Sequence, residues 1–193
     1  MSAVLETTVE KPVTVEDFYE IAFEGFRGEL VGGELKETMP TSILHGIIAG
    51  RIAIILGFFV LQNKLGEVLT AETGFRLFVD KKTVRVPDVS FLSNEKLAEI
   101  KNVNKFYDGT PDLAIEVISP SETYNDVQGK LEDYLSAGVK MVWIIRPENK
   151  IVTTYRTLSD FKILRENEEL NGEDLLPNFK CNLTDIFANL PND

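Results

Sequence analysis

A single α/β domain with interleaved helices and strands is the fold class this 193-residue chain predicts, and three observations predict it. Two near-continuous apolar runs, LAIEVIS over 113–119 and KMVWIIR over 140–146, read as strands buried on both faces. Between them, from about Tyr124 to Ala137, Val127, Leu131, Tyr134 and Leu135 recur at helical spacing until Gly138 stops the pattern. The composition is globular, 44% hydrophobic and 26% charged, with no internal repeat and no long Pro- or Gly-rich linker. Residues 1–12 are expected to be a loose arm and 13–193 one domain.

The remaining elements follow in chain order. Thr14 and Asp17 form a capping-box pattern ahead of Val15, Phe18, Ile21 and Ala22, predicting a helix that ends near Gly25. GELVGGELKE reads as a hairpin turning at Gly32-Gly33. A long helix comes next, capped by Thr41/Ser42 and ended by Gly66, then three strands, EVLTAE, TGFRLFVD and TVRVPDVSFL, the last two joined by the turn Asp80-Lys81-Lys82. Residues 94–111 read as a connecting loop with one helical turn, IVTTYR and FKILRE as a late strand pair, and LTDIFANL as a closing short helix.

The long helix, ILHGIIAGRIAIILGFFVL over 43–61, is apolar enough to suggest a membrane span. Arg51 near its centre opposes that, at about 2.5–3.5 kcal/mol for insertion, and the flanks show no basic bias, so a buried helix and no membrane are expected. The opening MSAVLETTVE has neither a basic stretch nor a long apolar core, so no secretory signal is expected. Cys181 stands alone, which excludes an intrachain disulfide and makes a reducing cytoplasm the expected compartment. With one His and one Cys, a structural zinc site of nitrogen and sulfur ligands is excluded, and any metal should be a hard cation on carboxylates. The net charge of −11 repels phosphate backbones unless cations gather locally. Arg51, Arg76, Arg85, Lys81, Lys82, Lys101 and Lys105 are the candidates for such a patch. No nucleophile elbow, phosphate-cradling loop or dinucleotide fingerprint occurs.

What stands out is acids in apolar places. Glu116 sits inside Leu-Ala-Ile-Glu-Val-Ile, where an unpaired carboxylate would cost several kcal/mol; it must be paired, protonated or bound to a cation. Asp88 repeats the pattern in Val-Pro-Asp-Val-Ser-Phe, where Pro87 forces an edge or bulge. Adjacent strands could bring both carboxylates to one Mg²⁺ or Mn²⁺. Lys130 lies at the border of the apolar helix stripe, either reaching the strand ends or pairing with Asp126 four residues earlier.

These residues carry a family resemblance. Pro87-Asp88, the run PDLAIEVISPS over 111–121, the helix with Asp126 and Lys130, and Gly138-Val139 before Trp143 together resemble the Uma2 (DUF820-type) family of the PD-(D/E)XK restriction-endonuclease-like superfamily. The likeness runs from the first helix through Leu175-Leu176-Pro177 and Asp185-Ile186-Phe187. It implies an αβββαβ core with a central mixed sheet flanked by helices, preceded by a helix and hairpin and followed by a strand pair. It also implies metal ligands Asp88 and Glu116 and an Mg²⁺- or Mn²⁺-dependent endonuclease acting on DNA, in which a homodimer would place one site on each strand. Ile118 stands where the superfamily motif has lysine, and Lys130 on the next helix is the matching position. Glu34 and His45 match a hairpin glutamate and a histidine opening the long helix, which the resemblance implies as further catalytic-site residues, Glu34 adding an oxygen to the ion and His45 donating to a phosphate oxygen or shuttling a proton; a surface acid and a core histidine are their ordinary readings. Met141 and Arg146 depart from the acids that relatives often carry there. A non-catalytic interaction module on a nuclease-like scaffold is the alternative. A shared centre requires Lys130 Nζ within roughly 3–6 Å of the carboxylates, one water allowed between them.

Overall fold

Thr14 opens α1 (Val15–Phe23) with the expected reciprocal cap: its Oγ1 accepts from the Asp17 N–H while Asp17 accepts from the Thr14 N–H. The computed structural model describes residues 12–78 and 82–190. Residues 1–11 of the arm expected over 1–12 and the Asp80-Lys81 part of the turn lie outside them. GELVGGELKE folds back as β1 (Gly28–Val31) and β2 (Glu34–Glu37), turning at Gly32 and Gly33 with φ of 60° and 88°. Glycine enters that region without strain, so the two-residue turn forms here.

In α2 (Ile43–Asn63), Ser42 Oγ accepts from the His45 N–H, which fixes where the helix starts. Lys64, in left-handed conformation, ends it, not Gly66 as expected. Gly66 instead opens β3 (Gly66–Thr70) at φ 152°, where a Cβ would stand 1.9 Å from the Leu92 carbonyl oxygen. Gly66→Ala should therefore cost on the order of 3 kcal/mol, read as a lowered urea midpoint.

The chain continues as β4 (Phe75–Leu77), β5 (Thr83–Arg85), β6 (Val89–Ser93), α3 (Asn94–Ala98), β7 (Tyr107–Asp108), β8 (Leu113–Val117), α4 (Tyr124–Ser136) and β9 (Met141–Arg146). After a 3₁₀ turn come β10 (Ile151–Tyr155), β11 (Phe161–Arg165), β12 (Glu169–Gly172), β13 (Leu176–Asn182) and α5 (Leu183–Phe187). The central sheet has the order β11-β10-β9-β8-β6-β3 and is mixed, because β8 and β9 run parallel while the other neighbours are antiparallel. Within it α2, β3, β6, β8, α4 and β9 supply the expected αβββαβ order. A second sheet, β2-β1-β5-β4-β7, carries the hairpin, and β12 pairs with β13.

TVRVPDVSFL, read above as one strand, is two. β5 belongs to the five-stranded sheet and β6 to the central one. Pro87 cannot donate to a ladder, so pairing breaks at Pro87-Asp88 and the chain crosses between sheets there. That crossing frees Asp88 from any ladder and presents its side chain at a sheet junction.

Strand alternation sorts the core. Leu113, Ile115 and Val117 of β8 join Ile48, Ile52, Leu56 and Val60 of α2. Ala114, with Val142 and Ile144 of β9, joins Val127, Leu131 and Tyr134 of α4. Glu116 belongs to this second face, under α4. By length and composition α2 could cross a membrane. Here one of its faces is buried against the sheet, and Arg51 donates to the carbonyls of Ile186 and Ala188, while Ile54, Phe58 and Leu61 are exposed.

Candidate active site

Strand register brings the two acids together. Val89 pairs with Ile115 across the β6–β8 ladder, so Asp88, one step earlier, stands beside Glu116. The Val117 N–H donates to Asp88 Oδ2 at 2.8 Å, pinning that carboxylate to the backbone next to Glu116. Glu116 itself is 2% exposed.

Helix α4 supplies the partners. Thr123 and Asp126 form a second reciprocal cap, which occupies Asp126 and leaves Lys130 free of it. Lys130 Nζ donates to Glu116 Oε2 at 2.9 Å and to Glu122 Oε1 at 3.0 Å. One turn further on, Tyr134 Oη donates to Glu116 Oε1 at 2.6 Å. Tyr134 and Lys130 are four residues apart, so one helix face delivers both donors to one carboxylate.

Electrostatics in this cluster are unbalanced toward acid. Burial first, then the Asp88 and Glu29 charges, push the Glu116 carboxyl up to about 7, although Lys130 and the Tyr134 hydroxyl pull it down. Burial disfavours the Lys130 ammonium, but Glu116, Glu29 and Glu122 outweigh it and hold its pKa above the ordinary value. Three carboxylates, Glu116, Glu29 and Glu122, act on the one ammonium of Lys130, so negative charge is in excess here. Burial and the same acids raise the Tyr134 hydroxyl far above its usual range, so it stays a donor.

His45 joins from the start of α2, its Nε2 lying 3.1 Å from Asp88 Oδ2. That oxygen can only accept, so Nε2 carries a proton. Burial lowers the His45 pKa, yet its bond to Asp88 and the charges of Asp88, Glu122 and Glu116 raise it overall. The structure thus brings Asp88, Glu116, Lys130 and His45 together.

Glu34 is not among them. It lies on the wholly exposed edge strand β2 and pairs with Lys36. The hairpin carboxylate that reaches the cluster is Glu29 of β1, which the sequence reading missed. Glu29 is 5% exposed; its Oε2 accepts from Arg85 Nη1 at 2.6 Å and its Oε1 from the Val86 N–H at 3.0 Å. Arg85 also donates twice to Asp133 of α4, at 2.9 and 2.6 Å. This strut ties the hairpin, the Pro87-Asp88 crossing and the lysine-bearing helix into one frame. The signal was available in TVRV, where an arginine between valines requires a buried acid. Arg85 is therefore no part of a surface patch. Nor are Arg51, held by carbonyls, and Arg76, which pairs with Glu16 and Asp108.

Among the described residues no three His, Cys, Asp or Glu side chains form a metal-binding group. Two carboxylates nonetheless fit a hard cation. Asp88 is partly exposed, and within the described residues no donor reaches its Oδ1. Glu116 beside it is an oxygen donor whose charge the neighbouring acids disfavour, so a cation would relieve the excess. Mg²⁺ and Mn²⁺ take oxygen donors of this kind, together with waters.

Comparison with known proteins agrees with this architecture. No curated protein matches the chain. A crystal structure of a "putative nuclease belonging to DUF820" from Anabaena variabilis ATCC 29413 superposes with a TM-score of 0.75 at 17% identity, covering 91% of this chain and 98% of that one. At that identity the likeness establishes the fold. The family model Uma2, described as "Putative restriction endonuclease", matches residues 15–184. That span takes in α1, the sheet junction at Asp88, β8, α4 and β9, and on it the chain belongs to the Uma2 family.

Proposed function

We propose that this protein hydrolyses phosphodiester bonds in DNA as an endonuclease, with Mg²⁺ or Mn²⁺ held by Asp88 and Glu116. The observation that carries the reading is the meeting of a buried Glu116, a backbone-pinned Asp88 and the Lys130 ammonium at one sheet junction. A bound cation would polarise a phosphate oxygen and acidify a water. Lys130 has three N–H groups and spends two on Glu116 and Glu122. The third orients the attacking water and offsets charge growing on the phosphate oxygens. His45, protonated at Nε2, keeps Asp88 oriented. Tyr134 holds Glu116 in place without titrating. Glu34 is given no role.

The test is nicking of supercoiled plasmid with Mg²⁺ or Mn²⁺ by the parent, Glu116→Ala and Lys130→Ala. The parent nicks and EDTA stops it; Lys130→Ala slows it by about 10²–10³-fold. No nicking under either metal, or equal nicking by all three proteins, defeats the reading. With a net charge of −11, binding should be weak and strongly salt-sensitive. A homodimer in the cytoplasm completes the proposal, since two sites related by a two-fold serve two strands; sedimentation should give twice the chain mass.

The second reading, an interaction module, draws on one feature. Both Glu116 oxygens already accept bonds within the chain, so the cluster is satisfied without a ligand. The plasmid test separates the two.

A further inference from the structure

The geometry points to Arg146 as the contact for a second backbone phosphate of the substrate strand, next to the scissile one, an inference that rests on the nuclease reading above. β8 and β9 run parallel with Glu116 opposite Ile144, so Ile118 stands opposite Arg146. Alternation puts Arg146 on the same face as Glu116 and Ile144, the face that α4 covers. By strand geometry its backbone is roughly 8 Å from that of Glu116, one strand over and two residues on. Ile118 occupies the place where the superfamily motif has lysine, and the neighbouring strand brings an arginine to the same level.

Three further observations fit an anion. Arg146 is half-buried, which fixes its stem, yet among the described residues it has no ion pair or side-chain hydrogen bond. It opens on a cavity of about 200 Å³ that Ser119, Pro120, Glu122, Glu148 and Asn149 also line. That space suits a phosphate with its waters and is small for a whole nucleotide. Of the two acids on its wall, Glu122 is spent: Oε1 accepts from Lys130 and Oε2 from the Ser119 N–H. Glu122 is therefore the partition between this cavity and the Glu116 cluster. Glu148 is exposed at the rim, where water screens it. The other arginines proposed above for a basic patch, Arg51, Arg76 and Arg85, are committed elsewhere, and Arg146 supplies the guanidinium fork that binds phosphate best.

The experiment measures binding of a short labelled duplex in Ca²⁺ across a KCl series, together with kcat and KM for plasmid nicking. Arg146→Gln, which keeps the stem and folds at a strand end, should raise Kd and KM about tenfold with little change in kcat. It should also lower the salt slope by about 1, one phosphate contact. Arg146→Lys restores the slope and part of the affinity. A parent that nicks while Arg146→Gln keeps its KM and slope overturns this inference alone. A parent that neither binds nor nicks removes the nuclease reading and this inference with it.

Discussion

Glu116→Gln abolishes nicking and, without divalent ions, removes the fall in stability that the parent shows as pH rises toward neutral. The folded carboxyl is raised from 4.5 to about 7, by burial first and then by Asp88 and Glu29. Between those values the folded chain keeps a proton that the unfolded chain has lost, so parent stability falls as pH rises through that window. The loss is on the order of 3 kcal/mol in total. Glutamine has no proton to lose and escapes this penalty. From acid to mildly alkaline buffer, the variant should gain on the parent by about that amount in urea midpoints. A residue kept for stability alone would show the opposite sign, whereas one kept charged for function costs stability at working pH. Parallel pH profiles for the two proteins would remove Glu116 as an uncompensated carboxylate.

Arg85→Ala costs about 3–5 kcal/mol, because it strands Glu29 in a buried site and frees Asp133 from α4. Nicking falls as well, since the guanidinium is what joins the Pro87-Asp88 crossing to the helix carrying Lys130. Replacing the pair together, Glu29→Leu with Arg85→Met, should recover most of the stability, as an apolar pair carries no desolvation cost. It should not recover the nicking rate, because the Val86 N–H loses its carboxylate and the crossing loses its anchor. Denaturation midpoints and plasmid rates on the same three proteins separate folding from positioning. Full recovery of nicking by the apolar pair would make Glu29 a matter of folding only.

Much of this architecture was legible in the sequence because single residues carried strong local physics. Thr14 with Asp17, the Gly32-Gly33 turn and the apolar stripe ending at Gly138 each specify a backbone event within a few residues. Glu116 was legible for a related reason: a carboxylate in a buried strand is an energetic anomaly wherever it occurs. Pro87 announced a break in pairing, yet not that the chain would change sheets, since that depends on which distant strands are available to pair. The β12–β13 pair escaped notice because Pro177 and a register shift between Asn171 and Gly172 interrupt its alternation. Glu34 and Glu29 look alike in GELVGGELKE, and only the sheet order decides between them. β1 is covered on both sides by neighbours, whereas β2 is the edge. Long-range pairing likewise determined the fate of the arginines: Arg51 and Arg85 find partners 135 and 56 residues away, which no local pattern reveals.

Calorimetric titration of Mn²⁺ into the metal-free protein near neutral pH tests the convergence of these groups most directly. One ion per chain should bind with net proton release, visible as a buffer-dependent enthalpy, because Glu116 must ionise fully to accept it. Asp88→Asn and Glu116→Gln should each abolish that binding. Equal Mn²⁺ uptake by parent and variants, or none by the parent, would contradict a metal centre at this sheet junction.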